Sequence, residues 1–208
     1  MANAARGGAE VHPAAAFRWT EPAAVLAFVG AVGFARIFLT TSDGPRVAHA
    51  LAIVIGDAIR FHLANGNALV SHVDGATALL LSEGPNAYIS ANWYTDVSAT
   101  VPTWNYVAVE CEGVVRRLDH TALVDLLDRS AATLEPRVGE DWTRAKMEPP
   151  RFDASTRAIT AFELMPKTWR GTAKLSQNKP AAEAERLIAG MTRVGATAMA
   201  GAMQSARE

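Results

Sequence analysis

Cysteine is nearly absent from this sequence, and so is any excess of charge. The single Cys111 excludes an internal disulfide and any zinc or iron–sulfur site that needs several cysteines. We therefore expect a reducing compartment, the cytoplasm. The chain carries 20 Lys and Arg residues against 21 Asp and Glu residues, which gives a formal net charge of -1. Without an excess of positive charge, direct binding to nucleic acid is not expected.

Long apolar runs are also missing. No run reaches 18 residues, because Asp43 and Arg46 interrupt the first candidate and Gly56 and Asp57 interrupt the second. We therefore expect no membrane span. The N-terminus lacks the continuous apolar segment of a signal peptide, and residues 1–19 are expected to form a disordered or loosely attached arm.

Several motifs of catalytic chemistry are absent as well. The sequence contains no Walker loop, no nucleophile elbow and no dinucleotide-binding glycine fingerprint. Its histidines and carboxylates do not have the spacing of metal ligands, so no metal site is predicted. Whether the chain is an enzyme is left open by these absences.

Half of the residues are hydrophobic, which is enough to build a core. We expect one domain over 20–193, followed by a frayed tail of small residues over 194–208. Helices are predicted over 21–31, with Thr20 as cap and Gly33 at the end, over 120–134, with Asp119 as cap, and from Pro180 onward. Apolar residues at helical spacing follow these starting residues. Residues 141–153 are expected to be irregular.

Short β-rich segments separated by turn residues fill most of the remaining chain. The predicted strands are 34–41, 46–55, 58–64, 76–81, 86–90, 101–117 and 158–166. Six or seven antiparallel strands with peripheral helices predict a mainly β, α+β protein that forms a small barrel.

One stretch, EGPNAYISANWYTDVSATVPTWNY over 83–106, concentrates aromatic, amide, glycine and proline residues. It offers stacking faces and hydrogen-bonding groups for a planar ligand. In its last strand, the alternation of side chains places Trp104 on one face and Asn105 on the other. The alternative for Trp104 is an ordinary place in the barrel core, where buried aromatic side chains are common.

Three blocks, EGPNAYISANWY, VPTWNY and KLSQNKP, resemble in order and separation those of the PaiB-type FMN-binding split-barrel family, also named for negative transcriptional regulation. The resemblance spans about residues 22–192. It implies a split β-barrel that forms a homodimer and binds FMN at the subunit interface. The flavin would carry any redox or sensing chemistry, so no catalytic side chain is required.

The resemblance also implies a set of cofactor-binding residues. A flavin needs an aromatic or apolar wall, amides at its pyrimidine edge, and cationic or hydroxyl donors for its phosphate. Trp104 and Asn105 are candidates for the wall and the edge. A polar cluster with one positive charge completes the set in this part of the chain: Lys174, Ser176, Gln177 and Asn178. The alternative for this cluster is a solvated loop before the Pro180 helix.

The strand around His62 departs from the family pattern. The family usually carries a basic residue where this chain has Asn65, in the run His62-Leu63-Ala64-Asn65. If that position neutralises the phosphate, losing one charge-assisted hydrogen bond, about 1.5–3 kcal/mol, weakens FMN binding about ten- to hundredfold. His62 and Asn65 are therefore included among the candidate binding residues.

Two other functions stay open. Haem binding or degradation could use His49 or His62, which the predicted meander places on neighbouring strands, although ordinary barrel histidines bonded to backbone or solvent are the simpler interpretation. An indirect transcriptional regulator without catalysis is the second alternative. The family name suggests this role, while the charge and the lack of a helix-turn-helix argue against direct operator contact.

Overall fold

The computed structural model describes residues 12–19 and 21–207. Within them the chain forms two compact units. The first unit contains 21–82 and 110–169, and the second contains 12–19, 83–109 and 170–207. The single domain predicted over 20–193 stays a prediction. In the part of the chain that is described, no helix is both long and apolar enough to cross a membrane.

Seven strands pair into one sheet among the described residues. They are β1 Arg18–Trp19, β2 Phe34–Thr41, β3 Gly44–Ile55, β4 Ala58–Ala64, β5 Thr77–Ile89, β6 Thr103–Arg117 and β7 Ile159–Lys174. The strand order is β1-β7-β4-β3-β2-β5-β6, with a further pairing between β6 and β7. The registers of β1 with β7, β2 with β3 and β5, and β4 with β3 and β7 are all antiparallel. The predicted mainly antiparallel β class is confirmed.

The core of the first unit lies on the meander β2–β3–β4 and on β7. Phe61 of β4 pairs with Ala52 of β3 on one side and with Phe162 of β7 on the other. Both phenylalanines are fully buried, and their rings stack 5.7 Å apart. The predicted strands 34–41 and 58–64 match β2 and β4, because glycine and acidic turn residues mark their ends.

Five α-helices lie among the described residues. They are α1 Pro22–Val32, α2 His120–Leu134, α3 Pro149–Arg157, α4 Ala181–Arg193 and α5 Thr197–Ser205. Gly33 ends α1 in the left-handed conformation, and its N–H donates to the carbonyl of Val29. Asp119 caps α2, since its Oδ1 accepts a hydrogen bond from the Ala122 N–H at 2.8 Å. These two helix ends were predicted, whereas the predicted cap Thr20 lies outside the described residues.

Two strands are longer than predicted. Residues 76–81 and 86–90 belong to one strand, β5, which continues through Gly84 and Pro85. β2 pairs with β5 only at Leu79–Leu81, so the missing N–H of Pro85 removes no hydrogen bond from that ladder. Likewise β7 continues through Pro166 to Lys174, beyond the residues that pair with β4.

The structure also differs from the prediction in one loop region and at both ends of the chain. The 141–153 segment is not wholly irregular, because two prolines start α3 in a first turn that needs no N–H donor. The tail is not frayed, because α5 buries three of its side chains: Met199, Ala200 and Met203. Residues 12–19 are also ordered, since Phe17 is buried and β1 pairs with β7. The remainder of the predicted arm, 1–11, lies outside the described residues.

Candidate functional site

A cavity of about 300 Å³ lies in the second unit and is lined mainly by polar side chains. Four of the predicted site residues border it, and they are Asn105, Lys174, Ser176 and Asn178. They come from the end of β7, the loop that follows it and the start of β6. The structure thus brings together residues about 70 positions apart in the sequence, as Asn105 and Ser176 are separated by 71.

Asn105 connects the two sides of this cavity. The alternation along β6 turns its side chain inward, where it is completely buried. Its Nδ2 donates to Ser176 Oγ at 2.9 Å. Ser176 has a φ of 60°, a left-handed conformation that costs a residue with a Cβ about 1–2 kcal/mol. The hydrogen bond from Asn105 therefore orients a hydroxyl on a strained backbone position that borders the cavity.

Lys174 supplies a positive charge. Its Nζ donates to Thr103 Oγ1 at 2.5 Å, which holds the ammonium group at the cavity wall. Lys179 also borders the cavity, and its Nζ lies 5.3 Å from the centre of the Tyr94 ring, within the range of a cation–π contact. Two ammonium groups, hydroxyls and amides in one cavity form a donor set suited to an anionic ligand.

Tyr94, Thr103 and Lys179 are cavity residues that the sequence prediction missed. Thr103 lies inside VPTWNY and Lys179 inside KLSQNKP, so including every polar residue of these blocks would have found both. Burial, followed by the charge of Glu183 as a smaller cause, raises the pKa of the Tyr94 hydroxyl above its ordinary value. This hydroxyl is therefore protonated near neutral pH and can donate a hydrogen bond.

Gln177 does not border the cavity. Its Nε2 donates to the carbonyls of Ala16 and Ala173 at 3.0 and 2.6 Å, and its Oε1 accepts from the Leu175 N–H at 2.8 Å. Backbone groups therefore bond to both the nitrogen and the oxygen of this amide. These bonds stabilise the loop over 174–178 and connect it to the N-terminal segment.

Trp104 also lies away from this cavity. Consecutive residues of a strand point to opposite faces, so Trp104 does not line the cavity that Asn105 lines. Its side chain is 50% exposed, which contradicts the core interpretation. The indole Nε1 donates to Asn86 Oδ1 at 3.2 Å, and the ring meets Tyr88 edge to face at 6.1 Å.

The remaining predicted site residues lie in the first unit. Asn65 is exposed, but its side chain is engaged locally. Its Nδ2 donates to the Arg157 carbonyl, and its Oδ1 accepts from Thr160 Oγ1, both at 2.7 Å. Asn65 therefore joins the turn after β4 to the start of β7, a role that the sequence did not reveal.

His62 on β4 has a different environment. Its Nδ1 is buried and, among the described residues, has no hydrogen-bond partner. Burial lowers the pKa of the imidazole below its ordinary value, so the ring is neutral near neutral pH. His49 is exposed and stacks on Phe34 with ring centres 6.1 Å apart. Within the described part of the chain, no group of three or more metal-ligating side chains is placed to hold a metal ion.

Comparison with known proteins places the chain in a family. Residues 11–167 match the family described as "Putative FMN-binding domain". The chain belongs to this family. Its membership confirms the resemblance based on the sequence blocks and the prediction of FMN as cofactor. The block KLSQNKP lies after the matched residues. The family match therefore does not cover it, and the cavity in the second unit is the evidence for placing it near a ligand.

One curated relative and two solved structures are similar over most of the chain. Protease synthase and sporulation protein PAI 2 of Bacillus subtilis (strain 168) is 27% identical over 169 residues, which cover 78% of this chain and 80% of the relative. The flavocytochrome Anf3 from Azotobacter vinelandii has a TM-score of 0.63 at 16% identity, with 78% and 72% of the two chains covered. The FAD and heme binding protein from Mycobacterium smegmatis has a TM-score of 0.57 at 15% identity, with 76% and 73% covered. The split-barrel fold is confirmed.

The donors around the cavity fit part of an FMN molecule. Ammonium and hydroxyl groups from Lys174, Lys179 and Ser176 suit its phosphate, while Tyr94 offers an aromatic surface. A volume of about 300 Å³ is at the lower end for ligand pockets, which measure about 300–1,000 Å³. The size and donors of this cavity therefore suit the anionic end of an FMN molecule better than the whole of it.

Proposed function

We propose that this protein is a flavin-dependent redox or flavin-sensing protein that binds FMN at the interface of a homodimer. The observation that carries the proposal is the convergence of Lys174, Ser176 and Asn105 on one cavity, in a chain that belongs to an FMN-binding family. Bound FMN supplies the redox chemistry. The chain's own residues bind and orient the cofactor.

Each residue has a distinct role in this proposal. Lys174 neutralises the phosphate, Ser176 and Asn178 donate hydrogen bonds to it, and Asn105 positions the Ser176 hydroxyl. Gln177 and Asn65 are positioning residues, because other groups of the protein already bond to their amides. The Nδ1 of the neutral His62 has no hydrogen-bond partner among the described residues and can bond to an ordered water.

Trp104 contributes to the interface. An exposed pair of large aromatic side chains, Tyr88 and Trp104, is the kind of surface that protein–protein contacts bury. We assign this pair to the contact with the second subunit, where Trp104 becomes a wall for the flavin held between the subunits.

The test is flavin binding by the purified chain. We expect flavin absorbance and fluorescence in the protein as purified, and release of FMN on denaturation. Lys174→Gln should weaken FMN binding about tenfold or more, the effect of losing one charge-assisted hydrogen bond. Lys167→Gln is the matched control, because Lys167 is an exposed lysine of the same strand.

Two results would contradict this proposal. Colourless protein that does not take up added FMN would exclude a flavin role. Equal FMN affinity in the Lys174→Gln and Lys167→Gln variants would remove the cavity of the second unit from the cofactor site.

Haem binding is a second candidate because of one observation, the buried Nδ1 of His62 without a partner among the described residues. A neutral imidazole can be an axial ligand of haem iron. Haem titration of the purified protein should then give a Soret band that His62→Ala abolishes and His49→Ala preserves. A band that survives both substitutions would exclude these histidines, and the absence of any band would exclude haem.

A further inference from the structure

A second cavity of the second unit contains none of the residues predicted for the flavin. It has a volume of about 570 Å³ and lies between α4 and the turn at Ala91–Trp93. The side chains that matter for its chemistry are Trp93, Arg186, Arg193, Ser90 and Asn92. They form one aromatic surface, two positive charges and two neutral polar groups.

The two arginines lie on one face of α4, with a glycine between them. Arg186, Gly190 and Arg193 follow the i, i+4, i+7 spacing of a helical stripe. At 1.5 Å per residue, the arginines are about 10 Å apart along the helix axis. A Cβ at Gly190 would lie 2.6 Å from Cδ2 of Trp93, so the indole rests directly on the helix at this point.

The charges of this cavity have no ion-pair partner in the part of the chain that the structure describes. The Arg193 guanidinium lies 5.9 Å from the centre of the Trp93 ring, and Arg186 Nε donates to the Trp93 carbonyl at 3.3 Å. In the described ranges, 12–19 and 21–207, neither arginine forms an ion pair with a carboxylate. Other arginines of the chain, such as Arg60 and Arg129, do have carboxylate partners.

We propose that this cavity binds a mononucleotide, with the phosphate between Arg186 and Arg193 and the base against Trp93. Guanidinium groups bind phosphate through two parallel hydrogen bonds, and the ring of a tryptophan can stack on a nucleobase. The net charge of the chain is -1, so the two arginines do not reflect a general excess of positive charge. The proposal is independent of the flavin site, because it shares no lining residue with the first cavity.

The experiment is calorimetric titration of the protein as purified with adenosine 5′-monophosphate, inorganic phosphate and adenosine. We expect the nucleotide to bind more tightly than either of its parts, since phosphate and base each have a partner in the cavity. Arg186→Gln and Arg193→Gln should each weaken nucleotide binding about tenfold or more. Both side chains are exposed, so neither change should impair folding.

Two control variants show whether the nucleotide occupies this cavity. Arg151→Gln removes the same charge from an exposed position on α3 and should leave nucleotide affinity unchanged. Lys174→Gln alters the first cavity and should also leave the affinity for the nucleotide unchanged. Trp93→Leu should reduce nucleotide affinity to that of inorganic phosphate.

Three outcomes would overturn the proposal. One is the absence of nucleotide binding, and another is equal affinity for the nucleotide in the wild type and both arginine variants. The third is loss of nucleotide binding in Lys174→Gln with no loss in Arg186→Gln or Arg193→Gln, which would assign the nucleotide to the first cavity.

Discussion

Asn105 connects two of the sequence blocks on which the family resemblance is based. VPTWNY supplies Asn105 and KLSQNKP supplies Ser176, and the two side chains meet in a buried hydrogen bond of 2.9 Å. Met203 of α5 completes the contact, with its Sδ 3.6 Å from the Asn105 amide nitrogen. The resemblance seen in the sequence thus corresponds to one local structure in which a buried amide fixes the loop after β7.

Replacing Asn105 with Leu should destabilise the flavin-free protein. The substitution keeps a similar volume but leaves the buried Ser176 hydroxyl without its partner, which costs about 1–3 kcal/mol. Urea denaturation of the flavin-free protein measures this loss. Asn178→Ala is the control, because Asn178 is exposed and its loss should change stability by less than about 0.5 kcal/mol. Equal stability of Asn105→Leu and wild type would contradict the role given to this amide.

Residue type alone could not distinguish ligand-binding side chains from structural ones. Asn65 was a candidate because it replaces the family's basic residue, and Gln177 because it belongs to the polar cluster of KLSQNKP, but both amides bond to the protein itself. The Asn65 partners lie 92 and 95 residues away in the sequence, so only the folded chain could reveal them. Lys174, Ser176 and Asn178 border the same cavity because they are close in sequence, at the end of β7 and in the loop after it, and their part in flavin binding stays a prediction.

At the level of elements, the predicted helix ends match the structure where the residue at that end makes the capping hydrogen bond itself. Gly33 and Asp119 mark helix boundaries through their own backbone and side-chain hydrogen bonds. Prolines were a misleading sign of strand ends, because a proline disturbs a strand only where a neighbouring strand needs the missing N–H. Pro85 lies beyond the residues that pair with β2, and Pro166 lies beyond those that pair with β4, so neither proline removes an N–H that those two pairings need.

Gly113 on β6 is required by the close approach of β7. A Cβ at this position would overlap the carbonyl oxygen of Met165 and would lie 2.9 Å from its carbonyl carbon. Backbone atoms cannot rotate away as a side chain can, so Gly113→Ala should destabilise the protein by about 1–3 kcal/mol or more. The decrease is measured by urea denaturation.

Gly66→Ala serves as the control for this prediction. A Cβ at Gly66 would have no heavy atom within 4 Å, so the substitution should be close to neutral or slightly stabilising. If Gly113→Ala is as stable as Gly66→Ala, the two strands do not approach as closely as the structure indicates.

Glu163 and Arg60 form a cross-strand pair between β7 and β4. They are direct partners in the register, and Arg60 Nε lies 2.8 Å from the carboxylate. Arg116 Nη2 lies 2.7 Å from the other carboxylate oxygen. Burial is the largest single influence and raises the pKa of Glu163, but the hydrogen bonds and charges of the two arginines together outweigh it. The net result holds the pKa of Glu163 below its ordinary value.

This lowered pKa predicts a loss of stability in acid. The ionised carboxylate stabilises the fold above the unfolded-state pKa, about 4.3, and this contribution disappears as the pH falls through the lower folded-state value. Glu163→Gln should reduce stability at pH 7 by about 1–3 kcal/mol and should flatten the decline of stability below about pH 4.3. Thermal denaturation as a function of pH measures both effects.

Asp141→Asn is the control for the acid dependence. Asp141 also pairs with a cation, Lys146, but it is fully exposed, so its ion pair should contribute little. A Glu163→Gln variant with the same acid dependence as wild type would show that this carboxylate does not control acid stability.

At the level of the whole molecule, the proposed homodimer would explain two features of the single chain. The described cavity of the second unit suits the anionic end of FMN, while Trp104 faces away from it and is half exposed. Both observations are explained if a second subunit covers the aromatic pair Tyr88 and Trp104 and the flavin lies between the subunits. Sequence blocks could indicate this arrangement only through family resemblance, because a subunit contact has no local pattern along the chain.

A charge placed on this aromatic surface should therefore separate the subunits. We expect sedimentation of the wild type to give twice the mass of one chain, and Trp104→Glu to give a single chain with reduced FMN content, because burying an unpaired carboxylate is costly. Trp142→Glu is the matched control, since Trp142 is another partly exposed tryptophan and lies outside the proposed contact. A wild-type protein that is monomeric and still saturated with FMN would contradict the interface site, because the cofactor would then need nothing from a second subunit.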